Sequence, residues 1–228
     1  MDKIRFVCAT RCSRAEFYKS SALGRSIALY NDLPFMELQL YPNNTSGLPV
    51  VYNEAISDAE RDPAILVFIH DDVHLCDFYW PGRIYESLQA FDVVGVAGGK
   101  KRVARQPAWA SIEDARAPDG RNNLSGIVGH GNGFPCSKIA VFGPPRQECK
   151  LLDGLMLVVD SRTLARSGLK FDPRFAFHFY DLDFCRQAEL KGLRMGTWPI
   201  SVVHESTGAY GNAAWNESYT NYLQKYGE

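Results

Sequence analysis

The sequence has 228 residues, of which 46% are hydrophobic and 22% charged, and its formal net charge is −1 at pH 7. This is the composition of an ordinary globular protein, and it gives no reason to expect non-specific binding to nucleic acid. No window approaches the roughly 18–20 apolar residues of a transmembrane helix, and no signal-peptide core opens the chain. The six cysteines form neither a CxxC pair nor a zinc spacing. We therefore expect a cytoplasmic protein with reduced thiols and no transmembrane segment, and leave open attachment at the inner face of a membrane.

The first third of the chain alternates between short apolar runs and segments of helical period. A compact apolar run opens the chain, and Ser13 and Glu16 then have the spacing of a helix capping box. The elements predicted here are a strand over 4–9, a helix over 13–30, a strand over 35–41, a loop over 42–47, a helix over 50–58 and a strand over 64–69. Strand, helix, strand, helix, strand is typical of a right-handed parallel sheet flanked by helices.

The remainder of the chain has a less regular pattern. Residues 98–150 are rich in Gly, Pro, Asn, Arg and Lys, which predicts a long functional loop region with short strands. The elements predicted for this part are a helix over 80–90, strands over 93–97, 124–128, 139–142 and 155–159, a helix over 161–166, an irregular segment over 168–179, a helix over 181–191, a strand over 198–203 and a helix from 213. No linker or repeat divides the chain, so we expect one domain over residues 1–228.

The stretch 64–75 is the centre of this pattern. Six uninterrupted apolar residues read as a strand buried on both faces, and His70, Asp71 and Asp72 follow at once. In open α/β sheets, ligands bind beyond the carboxyl ends of the strands. The sequence therefore predicts a metal-assisted site at this strand end.

Two common nucleotide-binding motifs are missing from the sequence. No GxGxxG follows the first strand, which counts against a dinucleotide-binding fold, and no GxxxxGK[ST] phosphate loop occurs anywhere.

Six separated pieces of the sequence carry a family pattern. They are VCATR (7–11), YNEAI (52–56), FIHDDV (68–73), LDGLM (152–156), FHFYDLDFC (177–185) and VVHESTG (202–208). In this order the chain resembles the family-2-like glycosyltransferases of GT-A fold, and specifically bacterial members with an HxDV strand end and a downstream HFYDxDF. The most specific part of the resemblance is FHFYDLDF together with VVHES.

The resemblance implies a fold, an activity and a division of the chain. The implied fold is an α/β, Rossmann-like, mainly parallel sheet flanked by helices, with a smaller mixed half on the acceptor side. The implied activity is transfer of a sugar, with inversion, from a nucleotide-sugar donor such as a UDP-, GDP- or dTDP-sugar to a glycan or other hydroxyl acceptor, as in polysaccharide biosynthesis. Residues 1–99 would bind the nucleotide sugar, and residues 100–228 would bind the acceptor and hold the catalytic groups.

The resemblance also implies a divalent metal ion, Mn²⁺ or Mg²⁺, which would neutralise the diphosphate leaving group. Asp72 keeps the family's metal-binding position and His204 matches its late metal ligand. His70 stands where the family usually has an aspartate, and an imidazole suits Mn²⁺ better than Mg²⁺. Asp71 is expected to reach the ribose or sugar of the donor. The alternative to a metal site is that Asp71 and Asp72 only end a buried strand in a solvent-exposed turn.

The implied catalytic base is Asp181, which would take the proton of the acceptor hydroxyl. The family's preceding glutamate is Tyr180 here. Asp183 is expected to orient the loop or the acceptor. Both aspartates also fall where a helix should begin, where carboxylates are common as caps, so one of the two can be structural only.

The remaining site residues follow the same resemblance. Those expected to bind the nucleotide sugar are Thr10, Arg11, Asn43, with Asn44 beside it, Asn53, Asp71 and Asp72. Those expected near the acceptor or donor sugar are Asp153, Gly154, His178, Asp183 and Trp109, with Trp215 as a further aromatic residue. An ordinary surface charge for Arg11 and a helix cap for Asn53 stay open, as does a core position for each Trp.

Two other functions remain compatible with the sequence. A sugar nucleotidyltransferase also pairs acids with a metal, but it usually carries a Gly-rich loop after its first strand, and CATRCSRAE contains no glycine. A sugar-nucleotide or glycan-binding protein without turnover fits the altered HxD and Tyr180.

Overall fold

The computed structural model describes residues 2–112, 119–206, 208 and 210–228. The strands β1 to β12 are Ile4–Ala9, Met36–Tyr41, Ile65–Ile69, Val73–Leu75, Val93–Gly95, Ala97–Gly99, Leu124–His130, Lys138–Gly143, Leu151–Leu152, Met156–Asp160, Met195–Thr197 and Val202–His204. The helices α1 to α7 are Arg14–Ser20, Ala22–Ile27, Leu48–Arg61, Trp80–Ala90, Ser161–Ser167, Tyr180–Leu190 and Ala213–Tyr226. No helix within these residues is long and apolar enough to cross a membrane.

The main sheet has the strand order β11-β5-β10-β3-β1-β2. Strand β10 runs antiparallel to both of its neighbours, while the pairs β1 with β2, β1 with β3 and β11 with β5 are parallel. Every residue of β3 is buried, as the unbroken apolar run predicts for a central strand. The predicted α/β, Rossmann-like, mainly parallel sheet with flanking helices is confirmed.

A second, mixed sheet lies beside the first, with the order β4-β12-β7-β6-β9 and with β8 paired to β7. Both sheets contain strands from residues 1–99 and from residues 100–228, and one hydrophobic core joins them. The division of function between those two halves stays a prediction.

One predicted strand is divided between the two sheets, and another has different bounds. The strand predicted over 93–97 becomes β5 in the main sheet and β6 in the second sheet. The strand predicted over 198–203 overlaps only β12, which begins at Val202, while β11 ends at Thr197 before the predicted range. Apolar residues such as Trp198 and Ile200 are buried between these two strands as well, so periodicity alone does not reveal the boundaries.

The single helix predicted over 13–30 is two helices. The capping box of Ser13 and Glu16 is present at the start of α1. Ser21 then takes an extended conformation, and its hydroxyl accepts a hydrogen bond from Gly24 N–H at 2.9 Å, which caps α2. A Cβ on Gly24 would lie 2.0 Å from the Phe17 carbonyl oxygen, so the close turn between α1 and α2 requires glycine.

Candidate metal and catalytic site

The ends of two strands bring three candidate ligands together. His70 and Asp72 follow β3, and the antiparallel pairing of β4 with β12 sets His204 opposite Val73. His204 Nε2 therefore lies 3.3 Å from Asp72 Oδ1, and His70 Nδ1 lies 3.9 Å from the same oxygen. One ligand atom from each of the three residues lies within 4.8 Å of the other two, although His204 is 134 positions after His70 in the sequence.

Two of the candidate ligand atoms lack a hydrogen bond. Asp72 Oδ1 and His204 Nε2 are buried and lie 3.3 Å apart as an ion pair, but neither has a hydrogen-bond partner among the described residues. Burying a polar atom without a hydrogen bond costs about 1–3 kcal/mol. A divalent cation between these atoms would satisfy both, and one carboxylate with two imidazoles suits Mn²⁺. The residues present therefore fit a metal ion.

The charges of the group are coupled. Burial lowers the pKa of His204, but the adjacent carboxylate of Asp72 outweighs burial and the net pKa lies above the usual value. Burial raises the pKa of Asp72, and the nearby rings of His204 and His70 reverse this, so its net pKa is lowered. Burial lowers the pKa of His70. In the absence of a cation, the site therefore favours a charged Asp72 beside a neutral His70.

Helix α6 supplies a further carboxylate of the candidate site, Asp181. It begins after Phe179, which has the left-handed conformation with φ 65°. Asp181 does not cap the helix from the N-cap position; its Oδ2 accepts a hydrogen bond from Gly154 N–H at 3.0 Å and its Oδ1 accepts one from Leu182 N–H at 2.9 Å. Burial, followed by repulsion from Asp153, raises the pKa of Asp181 to about 7 despite these two hydrogen bonds. A carboxylate with this pKa can exchange a proton near neutral pH.

Gly154 lies between the two parts of the site. Its N–H binds Asp181, and its carbonyl accepts a hydrogen bond from the Tyr180 hydroxyl at 2.8 Å. A Cβ on this residue would lie 2.3 Å from Tyr180 Oη and 2.9 Å from Asp181 Cβ. The backbone at Gly154 therefore lies in close contact with both side chains.

A cleft of about 940 Å³ joins these groups. His70, Asp72, His204, Asp153 and Asp181 all line it. The aromatic part of its lining includes Trp109, Phe177, His178, Phe179, Tyr210 and Trp215. A cleft of this size and aromatic content suits a sugar-sized ligand with charged groups at one end.

The predicted nucleotide residues lie at the neighbouring strand ends. Buried Thr10 donates a hydrogen bond from Oγ1 to Asp71 Oδ2 at 2.6 Å. Asn43 is exposed with φ 52°, and its N–H bonds to the Cys12 carbonyl, while Arg11 is exposed. The loops after β1, β2 and β3 therefore meet at one edge of the sheet, beside Asp72.

Two predicted site residues make hydrogen bonds within the protein and do not line the cleft. The side-chain amide of Asn53 bonds to both the N–H and the carbonyl of Phe171, at 2.9 and 2.7 Å. Asp183 is fully buried and bonds to Lys225, Tyr226 and Gln187 on the side of α6 that packs on α7. Its position two residues from Asp181 places it on another face of the helix. We therefore leave both out of the proposed binding residues.

Sequence reasoning missed several residues of the site. Tyr180 was read only as a departure from the family pattern, yet its hydroxyl lies 2.7 Å from His70 Nε2. His130, Phe177 and Tyr210 line the cleft but belong to no recognised motif. His130 ends β7, which pairs in parallel with β12, and this juxtaposition with His204 depends on the strand pairing within the second sheet, which no sequence motif specified. Within the VVHESTG motif, Thr207 lies outside the described residues.

Comparisons with known proteins gave matches at the level of structure only. No family model matches the sequence, and no curated protein matches it. The structure is similar to A197 from STIV, with a TM-score of 0.49 and 11% identity over 93% of this chain and 98% of that chain.

A second solved structure is that of GalNAc-T7 with UDP, GalNAc and Mn²⁺. The TM-score is 0.51 and the identity 9%, and the match covers 98% of this chain and 48% of that chain. This chain therefore spans about half the length of the GalNAc-T7 chain. At this identity the likeness shows the fold, which is GT-A-like.

Proposed function

We propose that this protein is a metal-dependent inverting glycosyltransferase that uses a nucleotide-sugar donor, of the family-2-like bacterial type. The observation that carries the proposal is the presence, in one cleft, of a metal-fitting group and of a buried carboxylate whose pKa is raised to about 7. Support also comes from the likeness in fold to a structure that contains UDP and Mn²⁺.

The donor would bind at the strand ends. His70, Asp72 and His204 would hold a divalent ion, which when bound neutralises charge on the diphosphate leaving group. Thr10 and Asp71 form one hydrogen-bonded pair next to Asp72, a suitable position for contacts to the ribose. Arg11 and Asn43 are exposed at the same edge and are proposed to contact the nucleotide. UDP, GDP and dTDP are the candidate nucleotides.

The acceptor would enter through the aromatic part of the cleft. Trp109 packs edge-on against Phe142, with ring centroids 4.9 Å apart, so its orientation is fixed. Such rings offer faces on which the apolar side of a sugar can stack. His178 and Asp153 lie in the same cleft and can contact hydroxyl groups. A carbohydrate acceptor is therefore the proposed class.

In the transfer step, the acceptor hydroxyl oxygen would attack the anomeric carbon from the face opposite the diphosphate. The bond between that carbon and the phosphate oxygen breaks, the electron pair leaves with the nucleoside diphosphate, and the hydroxyl proton passes to the Asp181 carboxylate. The hydrogen bonds from Gly154 and Leu182 hold this carboxylate in place while its raised pKa makes it basic enough to take the proton.

A donor screen tests the proposal. Thermal unfolding would be followed with UDP-, GDP-, dTDP- and CMP-sugars in the presence of Mn²⁺, with EDTA as the matched control. We expect one nucleotide to raise the melting temperature and EDTA to remove the shift. No shift with any donor would contradict the proposal. Release of the nucleoside diphosphate from the bound donor would then distinguish an enzyme from a protein that only binds the donor. A role in cytoplasmic polysaccharide synthesis stays a prediction that this screen does not test.

A further inference from the structure

The hydroxyl of Tyr180 connects the candidate metal group to the backbone of Gly154. Tyr180 Oη lies 2.8 Å from the Gly154 carbonyl oxygen and 2.7 Å from His70 Nε2. Tyr180 is almost completely buried, so solvent does not compete for these contacts.

These two contacts determine where the protons lie. A carbonyl oxygen only accepts, so the single Tyr180 proton must point to Gly154; otherwise two oxygen atoms without a proton between them would face each other at 2.8 Å. With its proton used, the Tyr180 oxygen can only accept from His70. His70 Nε2 must therefore carry a proton and donate it.

This arrangement leaves the other ring nitrogen of His70, Nδ1, unprotonated. In a neutral imidazole only one nitrogen is protonated, so a proton on Nε2 makes Nδ1 an acceptor. Nδ1 is the nitrogen that lies 3.9 Å from Asp72 Oδ1, on the side of His204. The His70 ring also stacks on Phe177, with centroids 5.9 Å apart and planes 25° apart, which limits its rotation.

We propose that Tyr180 is a positioning residue that holds His70 in the Nε2–H tautomer and thereby presents the Nδ1 lone pair to a divalent cation beside Asp72 and His204. The cation itself rests on the proposed function, whereas the tautomer does not. Metal-binding histidines commonly donate their second ring N–H to a hydrogen-bond acceptor, usually a carboxylate, a backbone carbonyl or water, and loss of that acceptor typically weakens metal binding about 10–100-fold.

The proposal gives one reason for two departures from the family pattern. His70 replaces an aspartate and Tyr180 replaces a glutamate, and the two replacing side chains contact each other at 2.7 Å. A histidine ligand needs a partner that fixes its tautomer, whereas an aspartate ligand does not. The hydroxyl of Tyr180 provides that partner without adding a negative charge to the site.

The test begins with the metal-free protein. Nitrogen NMR shifts distinguish a protonated ring nitrogen from a bare one, and comparison with a His70→Gln variant assigns the His70 signals among the five histidines of the chain. We expect His70 in the wild-type protein to carry its proton on Nε2. In Tyr180→Phe we expect a mixture of tautomers and about 10–100-fold weaker Mn²⁺ binding, measured from the EPR signal of free Mn²⁺.

Tyr85→Phe is the matched control. The Tyr85 hydroxyl donates its hydrogen bond to the Asp2 carbonyl, and Tyr85 does not line the cleft, so its removal should change neither the tautomer nor the affinity. A proton on Nδ1 in the wild-type protein, or an unchanged tautomer in folded Tyr180→Phe, would overturn the proposal. If His70 has its proton on Nε2 but the wild-type protein does not bind Mn²⁺, the proposed cation site and the metal-dependent function would be contradicted instead. The wild-type measurement decides the tautomer even if Tyr180→Phe does not fold.

Discussion

The Gly154 N–H donates a hydrogen bond to Asp181 Oδ2 at 3.0 Å, and both residues line the cleft. The carbonyl of the same glycine accepts from Tyr180, which in turn contacts His70. One residue without a side chain therefore connects the candidate base with the candidate metal group. A shift of this backbone by a few tenths of an ångström would move both.

Gly154→Ala should disturb both groups at once. Its Cβ would lie 2.3 Å from Tyr180 Oη, so Tyr180 or the backbone must move. We expect loss of donor turnover and a lower melting temperature, measured by nucleoside diphosphate release and thermal unfolding. Gly82→Ala is the control, since no atom lies within 4 Å of its Cβ position in helix α4. That control should be unaffected in turnover and stabilised by up to about 1 kcal/mol. Full activity in Gly154→Ala would contradict the close approach described here.

Metal binding should depend on the three residues of the group. Asp72→Ala and His204→Ala each remove an atom that is buried without a hydrogen-bond partner, so we expect both variants to lose Mn²⁺ affinity by more than tenfold. His178→Ala serves as the control because His178 lines the same cleft but lies outside the group. The measurement is Mn²⁺ titration followed by EPR. Wild-type affinity in both Asp72→Ala and His204→Ala would remove the metal assignment.

The pH dependence of turnover should report Asp181. As a base it must be ionised, and burial with repulsion from Asp153 raises its pKa to about 7. We therefore expect kcat/KM for the donor and acceptor to rise with pH between 6 and 8, with a midpoint near 7. A profile that is flat over this range in the wild-type protein would rule out a base with this pKa.

The free energy of unfolding should also depend on the Asp181 carboxyl group, but it should fall with rising pH where turnover rises. An unfolded aspartate has a pKa of about 3.9, below the folded value of about 7. Between these values the native state retains a proton that the unfolded chain has lost, so this contribution to the free energy of unfolding falls as pH rises. Asp181→Asn removes this dependence, and its stability relative to wild type should increase from pH 5 to pH 8 in denaturant unfolding.

Asp183 should matter for stability and not for metal binding. Its fully buried carboxylate pairs with Lys225, which anchors helix α7 on helix α6. Removing one partner of a buried pair costs about 3 kcal/mol, which in a chain of this size lowers the melting temperature by roughly 6–12 °C. We expect this for Asp183→Asn, with unchanged Mn²⁺ affinity in the folded protein. Exposed Asp32 provides the control substitution Asp32→Asn. A stable Asp183→Asn protein with impaired acceptor use would restore the role first predicted for this residue.

Much of the fold was predictable because its signals are local. The apolar run before His70 identified the central strand, and helix α4 over Trp80–Ala90 was predicted with its observed bounds. The division of residues 93–97 between the two sheets was not predictable, because the strands concerned are apolar in either sheet. Strand β4 was missed because it is only three residues long, although its pairing with β12 is what places His204 beside Asp72.

The site was predictable only where a motif names the residue. Asp72, His204 and Asp181 were expected from the family pattern and line one cleft. Asn53 and Asp183 were expected from the same pattern, but their hydrogen bonds to Phe171 and Lys225 arise between segments distant in sequence. The contact of Tyr180 with His70 and that of His130 with His204 likewise join residues distant in sequence. A motif gives the position of a side chain in the sequence and not the direction in which it points.

Sugar transfer by the Asp181→Asn variant tests the proposed function most directly. With the donor identified by the screen, Mn²⁺ and an acceptor at pH 8, the wild-type protein should form the glycosylated product with inverted configuration. Asp181→Asn should bind Mn²⁺ and the nucleotide as tightly as wild type and lose at least about 10²–10⁴-fold in transfer, the usual contribution of a general base. Transfer by Asp181→Asn at the wild-type rate would contradict the central claim that Asp181 takes the acceptor proton in this cleft.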